Sequence, residues 1–128
     1  MPVRPPTFRP RGRTHGADAR REVDRQRGSA SARGYDADWQ RAAKAHLIAH
    51  PLCRYCEVGA WDGRPMVTAA TLVDHYHPHR GNRAVFWAAE WWVSSCKACH
   101  DGPKQRLERS GRGDMAALAR RLGLPVQT

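Results

Sequence analysis

The chain has 128 residues, and its 22 lysines and arginines outnumber 12 acidic residues, which gives a formal net charge of +10. This length is typical of a single domain. No run of about 18 apolar residues could cross a membrane, and the first residues lack the apolar segment of a secretory signal. We therefore expect a cytoplasmic protein without a membrane partner, in a compartment where paired cysteines hold zinc more often than they form disulfides.

The first segment, residues 1–34, is predicted to be a flexible basic arm. It contains nine arginines, three acidic residues and four prolines, with almost no large apolar side chains. Such a segment cannot bury enough apolar surface to offset the entropy cost of ordering. An arginine-rich arm suits a polyanion such as DNA, because each neutralised phosphate releases counterions. The alternative interpretation is a tail that only keeps the protein soluble.

The body of the protein, residues 35–112, begins with a predicted helix over residues 36–50. Asp36 is a suitable N-cap, apolar side chains recur at helical spacing, and Pro51 ends the helix. Residues 66–76 are rich in β-branched and apolar side chains, which predicts a strand or a hairpin.

The second half of the body is predicted to be mainly helical. Residues 84–92 indicate a short buried helix or turn, and a helical stretch up to about Ser110 should be interrupted at Gly102-Pro103. The last segment, residues 113–128, holds a predicted amphipathic helix that Asp114 caps, and we expect this helix to pack on the body.

Two CxxC pairs are separated by 39 intervening residues. A CxxC turn places two thiolates on one side of a tight loop, and two such turns make a tetrahedral site with four sulfur ligands. Zinc in this site would close a long loop and supply folding free energy that a small core lacks. Two disulfides or a redox dithiol are the alternatives. The predicted zinc ligands are Cys53, Cys56, Cys96 and Cys99.

Three further residues offer the chemistry of phosphodiester hydrolysis. His75 can accept a proton from water near neutral pH. Asp74 and His100 are residue types that hold a divalent cation. Because the four cysteines already complete a zinc site, His100 is available for this second role.

The segments HPLCRYCEVG, TLVDHYHPHRGNRAVFW and CKACHDGPKQR resemble the HNH endonucleases, in particular the small zinc-clipped type common in phages. The resemblance covers roughly residues 34–110. It implies an α+β fold in which a ββα-metal finger, a two-stranded hairpin followed by a helix, carries the site beside a four-cysteine zinc. It further implies that His75 is the general base and that Asp74 and His100 hold Mg²⁺ or Mn²⁺.

The sequence departs from the family pattern at its middle asparagine, which braces the loop that orients the first histidine. That position is occupied here by Trp91, whose indole offers one donor and no acceptor. Asn82 could supply the brace from elsewhere in the loop, and we include it among the candidate catalytic residues.

The resemblance also implies a partner, which is DNA bound with weak sequence preference because the contacts go to the backbone. By analogy with phage enzymes, terminase and genome packaging are the expected context, and the protein is expected to be monomeric. The candidate phosphate contacts are Arg80, Arg83, Lys97, Lys104, Arg106 and Arg109.

The sequence therefore predicts a metal-dependent HNH endonuclease. The alternative function is a catalytically weak or inactive zinc module that only binds nucleic acid, or a packaging accessory protein, and Trp91 is the residue that favours this alternative.

Overall fold

The computed structural model describes Arg21, Ser29 and residues 32–125. Most of the predicted basic arm, residues 1–34, therefore lies outside the described residues. Within the described part of the chain, no helix is both long enough and apolar enough to cross a membrane.

The first long helix, α1 (Ala37–Ala49), confirms the predicted helix. Its N-cap is Asp36, whose carboxylate accepts a hydrogen bond from the backbone N–H of Trp39 at 3.0 Å and so satisfies one of the free amides of the first turn. The helix ends just before Pro51, as expected from the missing proline N–H.

The sheet consists of two short antiparallel strands, β1 (Leu72–His75) and β2 (Trp92–Ser95). In their register Leu72 pairs with Ser95 and His75 pairs with Trp92. The predicted strand over 66–76 is thus longer than the observed one. The preceding residues do not join it, because β2 offers only four partners, and Met66 and Val67 are exposed.

Short helical segments connect and flank these strands. Helix α2 (Arg54–Glu57) follows the first cysteine. Between the strands lie α3 (Arg83–Phe86) and a 3₁₀ turn (Ala89–Trp91). The short buried helix or turn predicted over 84–92 is thus two short helical turns, in which only Phe86 is buried, and Trp92 already belongs to β2.

After β2 the chain forms one continuous helical segment that changes its pitch. Helix α4 (Lys97–Cys99) passes into a π-helical turn (His100–Lys104) and then into α5 (Gln105–Ser110). The predicted interruption at Gly102-Pro103 is wrong. The wider π turn accommodates Pro103, whose ring would clash with the preceding turn of a regular α-helix.

The last helix, α6 (Arg112–Leu122), begins earlier than predicted. Its N-cap is Gly111, at φ 128°, and Asp114 lies in the first turn rather than at the cap. The helix ends as expected at Gly123, whose left-handed conformation at φ 75° closes the helix.

Two hydrophobic clusters lie on either side of the sheet residues. The first surrounds the cysteines and includes the inner face of α6, which packs on the body. The second is aromatic and joins α1 to β1 and α3. Together the elements form a small α+β fold. The buried members of the second cluster are Trp39, Val73 and Phe86, against which Tyr35, Trp87 and Trp92 pack.

Candidate functional site

The four cysteines lie close together in the structure. Cys53 precedes α2 and Cys56 lies within it, while Cys96 precedes α4 and Cys99 lies within it. Their sulfur atoms all lie within 4.8 Å of one another, and the Sγ atoms of Cys56 and Cys99 are 3.7 Å apart. Zinc–sulfur bonds of about 2.3 Å in a tetrahedron require sulfur atoms roughly 3.8 Å apart, whereas a disulfide requires about 2 Å. The cluster could therefore hold a metal ion such as zinc.

The buried thiols of the cluster would need a compensating positive charge to become thiolates. Burial raises the pKa of Cys53 and of Cys99, because a buried thiolate loses its hydration. A metal ion supplies the compensating charge that deprotonated sulfurs need. The indole N–H of Trp61 donates to Cys99 Sγ at 3.2 Å, a second-sphere hydrogen bond of the kind that supports metal ligands.

The three residues predicted to carry catalysis line one open groove of about 900 Å³. Asp74 and His75 come from the end of β1, and His100 follows the last cysteine. The groove runs over the aromatic cluster and is also lined by the basic side chains of Arg33, Lys44 and Arg80.

Asp74 and His100 face each other inside this groove. The distance between Asp74 Oδ1 and His100 Nε2 is 3.7 Å, and Asp74 is only 4% exposed. A carboxylate oxygen and an imidazole nitrogen at this separation are two donor atoms of the types that bind divalent cations.

Asp101 is a residue of this site that the sequence analysis missed. His100 Nδ1 lies 2.9 Å from Asp101 Oδ1, and the ammonium of Lys97 donates to the other oxygen of the same carboxylate. These contacts, first of all the one from Lys97, lower the pKa of Asp101. A carboxylate that receives the second ring N–H fixes the orientation and tautomer of a histidine ligand. The sequence did contain a signal for this contact, because Asp101 directly follows His100.

His75 is held by a backbone carbonyl rather than by a side chain. Its Nε2 lies 3.1 Å from the carbonyl oxygen of Phe86, the last residue of α3. A carbonyl only accepts, so Nε2 carries the proton and Nδ1 carries the lone pair. The same carbonyl accepts a hydrogen bond from the indole of Trp92 at 3.0 Å.

Burial keeps His75 neutral. Its ring stacks on Trp39 with centroids 4.5 Å apart, and the pKa of His75 is lowered to about 4, mainly by burial and secondarily by the charge of His79. At neutral pH the imidazole is therefore unprotonated, which is the form that a general base requires.

Asn82 does not contact His75 among the described residues. Its Oδ1 accepts hydrogen bonds from the backbone amides of Ala84 at 3.0 Å and Val85 at 3.2 Å, which makes it the N-cap of α3. Asn82 is therefore connected to His75 only through α3, whose last residue, Phe86, provides the carbonyl that His75 contacts.

Trp91, which the resemblance to HNH endonucleases aligns with their asparagine, also makes no direct bond to His75 within the described part of the chain. Its backbone carbonyl accepts from the amide of Tyr76 at 3.0 Å, which extends the sheet contacts past the strand ends. Its ring packs edge-on to His77, with ring centroids 5.1 Å apart.

Lys104 is not a phosphate contact, which corrects the sequence-based prediction. Its side chain is completely buried, and its ammonium lies 3.1 Å from Asp74 Oδ2. The hydroxyl of Tyr55 donates to the same oxygen at 2.5 Å. The other five predicted phosphate contacts are exposed: Arg80, Arg83, Lys97, Arg106 and Arg109.

No family model matches this chain, and a search of curated proteins and a search of solved structures each find no match.

Proposed function

We propose that the protein is a metal-dependent DNA endonuclease of the HNH type, in which β1, β2 and the helical segment from α4 to α5 act as a ββα-metal finger. One observation carries the proposal. Asp74, His75 and His100 line the same groove, and the carboxylate of Asp74 faces the imidazole of His100 at 3.7 Å. A base and two ligands of a divalent cation on one groove are the parts needed to hydrolyse a phosphodiester bond.

In this function His75 is the general base. Its Nδ1 accepts a proton from the attacking water, while the bond from Nε2 to the Phe86 carbonyl holds the ring and stabilises the imidazolium that forms. The aromatic wall of Trp39 keeps the ring in place. The neutral state of His75 means that no prior deprotonation is required at neutral pH.

Asp74 Oδ1 and His100 Nε2 would hold the catalytic Mg²⁺ or Mn²⁺. When bound, such an ion offsets the negative charge that grows on the phosphate in the transition state. Asp101 keeps His100 in the tautomer that leaves Nε2 available as a ligand. The zinc assigned to the four cysteines has a structural role only, since all of its ligand positions are filled by sulfur.

DNA is the proposed substrate because the groove and its surroundings are basic. Arg33, Lys44 and Arg80 line the groove, and the chain as a whole carries a net charge of +10. Contacts of this kind go to phosphates and carry no sequence information, so weak sequence preference is expected. The nine arginines of residues 1–34 would add further phosphate contacts.

The proposed cellular setting follows from the resemblance of the sequence to the HNH endonucleases of phages. We propose a cytoplasmic, monomeric enzyme that acts in phage genome packaging beside terminase; this part of the proposal depends on analogy with the family.

The test is the nicking of supercoiled plasmid by zinc-loaded protein with Mg²⁺ or Mn²⁺. Wild type should convert the plasmid to the open circle and leave 5′-phosphate ends, and His75→Ala should not. His50→Ala is the matched control, because His50 is an exposed histidine at the end of α1 and should leave nicking unchanged. Equal behaviour of wild type and His75→Ala would overturn the nuclease function.

That negative result would favour the alternative, a zinc module that binds nucleic acid without cutting it. Trp91 supports this alternative. Its indole N–H has no partner among the described residues, and an indole cannot replace an asparagine brace. Retained DNA binding by a protein that does not nick would establish this alternative.

A further inference from the structure

Lys104 stands out because it is a completely buried lysine, whereas Lys44 and Lys97 are exposed. Its ammonium donates to the backbone carbonyl of Tyr76 at 2.8 Å and to Glu108 Oε1 at 2.6 Å, and it lies 3.1 Å from Asp74 Oδ2. The ammonium thus donates two hydrogen bonds, and its charge is balanced by two carboxylates, those of Glu108 and Asp74. Removing an ammonium from water is costly, and the cost is offset only by such pairing.

The Asp74 carboxylate is divided between two environments as a result. Oδ2 accepts from the Tyr55 hydroxyl at 2.5 Å and pairs with Lys104. Oδ1 faces His100 Nε2 at 3.7 Å. The hydrogen bond from Tyr55 and the ion pair with Lys104 both hold Oδ2, so the other oxygen stays directed at the imidazole.

Lys104 and His100 are connected through the backbone. They are the last and the first residue of the π-helical turn (His100–Lys104). Any rotation of this turn therefore moves both residues, and the buried ion pair with Asp74 anchors the turn that carries His100.

We propose that Lys104 is a positioning residue of the candidate metal site. Together with the Tyr55 hydroxyl it occupies Oδ2 of Asp74, so that the carboxylate offers a divalent cation Oδ1 alone. The inference rests on the proposed function. It has an electrostatic consequence: a fixed ammonium 3.1 Å from the carboxylate opposes the charge of an incoming cation. Lys104 thus weakens cation binding while it fixes the position of the ligand.

The first test replaces Lys104 with methionine, which keeps an unbranched side chain and removes the charge. We expect Mn²⁺ to bind several-fold more tightly and the maximal nicking rate to fall by about tenfold or more, as for other second-sphere substitutions. A purely structural role would lower both quantities together. Mn²⁺ binding is measured by the electron paramagnetic resonance of free Mn²⁺ with zinc-loaded protein, and nicking is measured with supercoiled plasmid.

The matched control is Arg41→Met. Arg41 is an exposed residue of α1 that pairs with the exposed Asp38. Its replacement also removes one positive charge and should leave Mn²⁺ affinity and nicking rate at the wild-type values. Thermal unfolding of each zinc-loaded variant shows whether it is folded.

Tyr55→Phe keeps the test decisive if Lys104→Met does not fold. Phenylalanine retains the ring that packs against Trp61, at a centroid distance of 5.2 Å, and removes only the hydroxyl on Asp74 Oδ2. We expect a lower maximal rate, by roughly threefold or more, without weaker Mn²⁺ binding. The inference is overturned if folded Tyr55→Phe has wild-type rate and affinity, or if rate and affinity are lost in parallel.

Asp74→Asn separates this inference from the proposed function. If wild type binds no Mn²⁺, or if Asp74→Asn binds it equally well, the proposed function is wrong, and the inference that rests on it is wrong too. If Asp74→Asn loses Mn²⁺ binding and nicking while Tyr55→Phe matches wild type, the inference alone is wrong.

Discussion

Replacing Asn82 with alanine tests how His75, the proposed base, is held in a chain that has Trp91 where the HNH pattern has an asparagine. In the structure Asn82 reaches His75 in two steps. Its Oδ1 caps α3 through the amides of Ala84 and Val85, and the last carbonyl of α3, that of Phe86, accepts the bond from His75 Nε2. Loss of the cap should loosen the short helix and with it the acceptor that orients the base.

The expected effect on stability is modest. Asn82 and Ala84 are exposed and Val85 is half-buried, so water can replace the hydrogen bond lost at Ala84. An N-cap of this kind contributes about 1 kcal/mol, which corresponds to a drop of roughly 4–8 °C in Tm for a domain of this size. The nicking rate should fall by about tenfold, because small displacements of a catalytic group are costly.

Asn82→Asp distinguishes capping from direct bracing. Aspartate is isosteric and keeps the Oδ1 acceptor, so it should restore both Tm and nicking, whereas a brace that needs the amide N–H₂ would remain broken. Gln105→Ala, an exposed helix residue, controls for the loss of a polar side chain. The reasoning is refuted if Asn82→Asp is as slow as Asn82→Ala, or if Asn82→Ala loses activity with no change in Tm.

Three further predictions concern the two candidate metal sites and the base. Stripping metal with a chelator, or replacing Cys53 with serine, should abolish the cooperative unfolding transition in circular dichroism, because structural zinc is worth about 10–16 kcal/mol, as much as a whole domain's stability. Asp101→Asn should raise the Mn²⁺ concentration needed for half-maximal nicking by about tenfold, because His100 loses its charged partner. The NMR titration of His75 in zinc-loaded protein should have its midpoint near the lowered pKa of about 4. Stability should decrease as the pH falls from the ordinary histidine pKa of 6.5 towards 4, because the unfolded chain binds that proton first.

Each of these predictions has a result that contradicts it. Cooperative melting of metal-free protein would show that the cysteine cluster does not determine folding, and recovery on addition of Zn²⁺ is the positive control. Unchanged Mn²⁺ dependence of Asp101→Asn would remove Asp101 from the site. A His75 midpoint near 6.5 would mean that the ring is more hydrated than its stacking on Trp39 indicates.

Local patterns in the sequence were sufficient to predict the features that depend on neighbouring residues. The capping of α1 by Asp36 is such a feature, since cap and helix are adjacent in the chain. The proximity of the two CxxC pairs followed from the interpretation that they share one metal ion, which was weighed against two disulfides and a redox dithiol. The strand ending in Asp74 and His75 was predicted in type, although not in length, because its length is set by the distant partner strand.

Lys104 was misjudged because its role is set by distant contacts. Lys104 was expected on the surface because lysines are almost always exposed, and nothing adjacent to it predicts otherwise. Its burial depends on Asp74 and Tyr76, about thirty residues earlier in the chain. The π turn was not predicted either. A proline ends most helices, and the helix continues past Pro103 here only because the turn widens.

The two sites are connected by adjacency in the chain, which gives the cysteine cluster a role beyond stability. Tyr55 lies between Cys53 and Cys56, and His100 directly follows Cys99. Drawing the four sulfurs together therefore brings the Tyr55 hydroxyl and His100 to opposite oxygens of Asp74. A cation among the sulfurs would thus fix the position of both partners of Asp74. Partial loss of that cation should therefore reduce the nicking rate in proportion to the fraction of molecules that have lost it and unfolded.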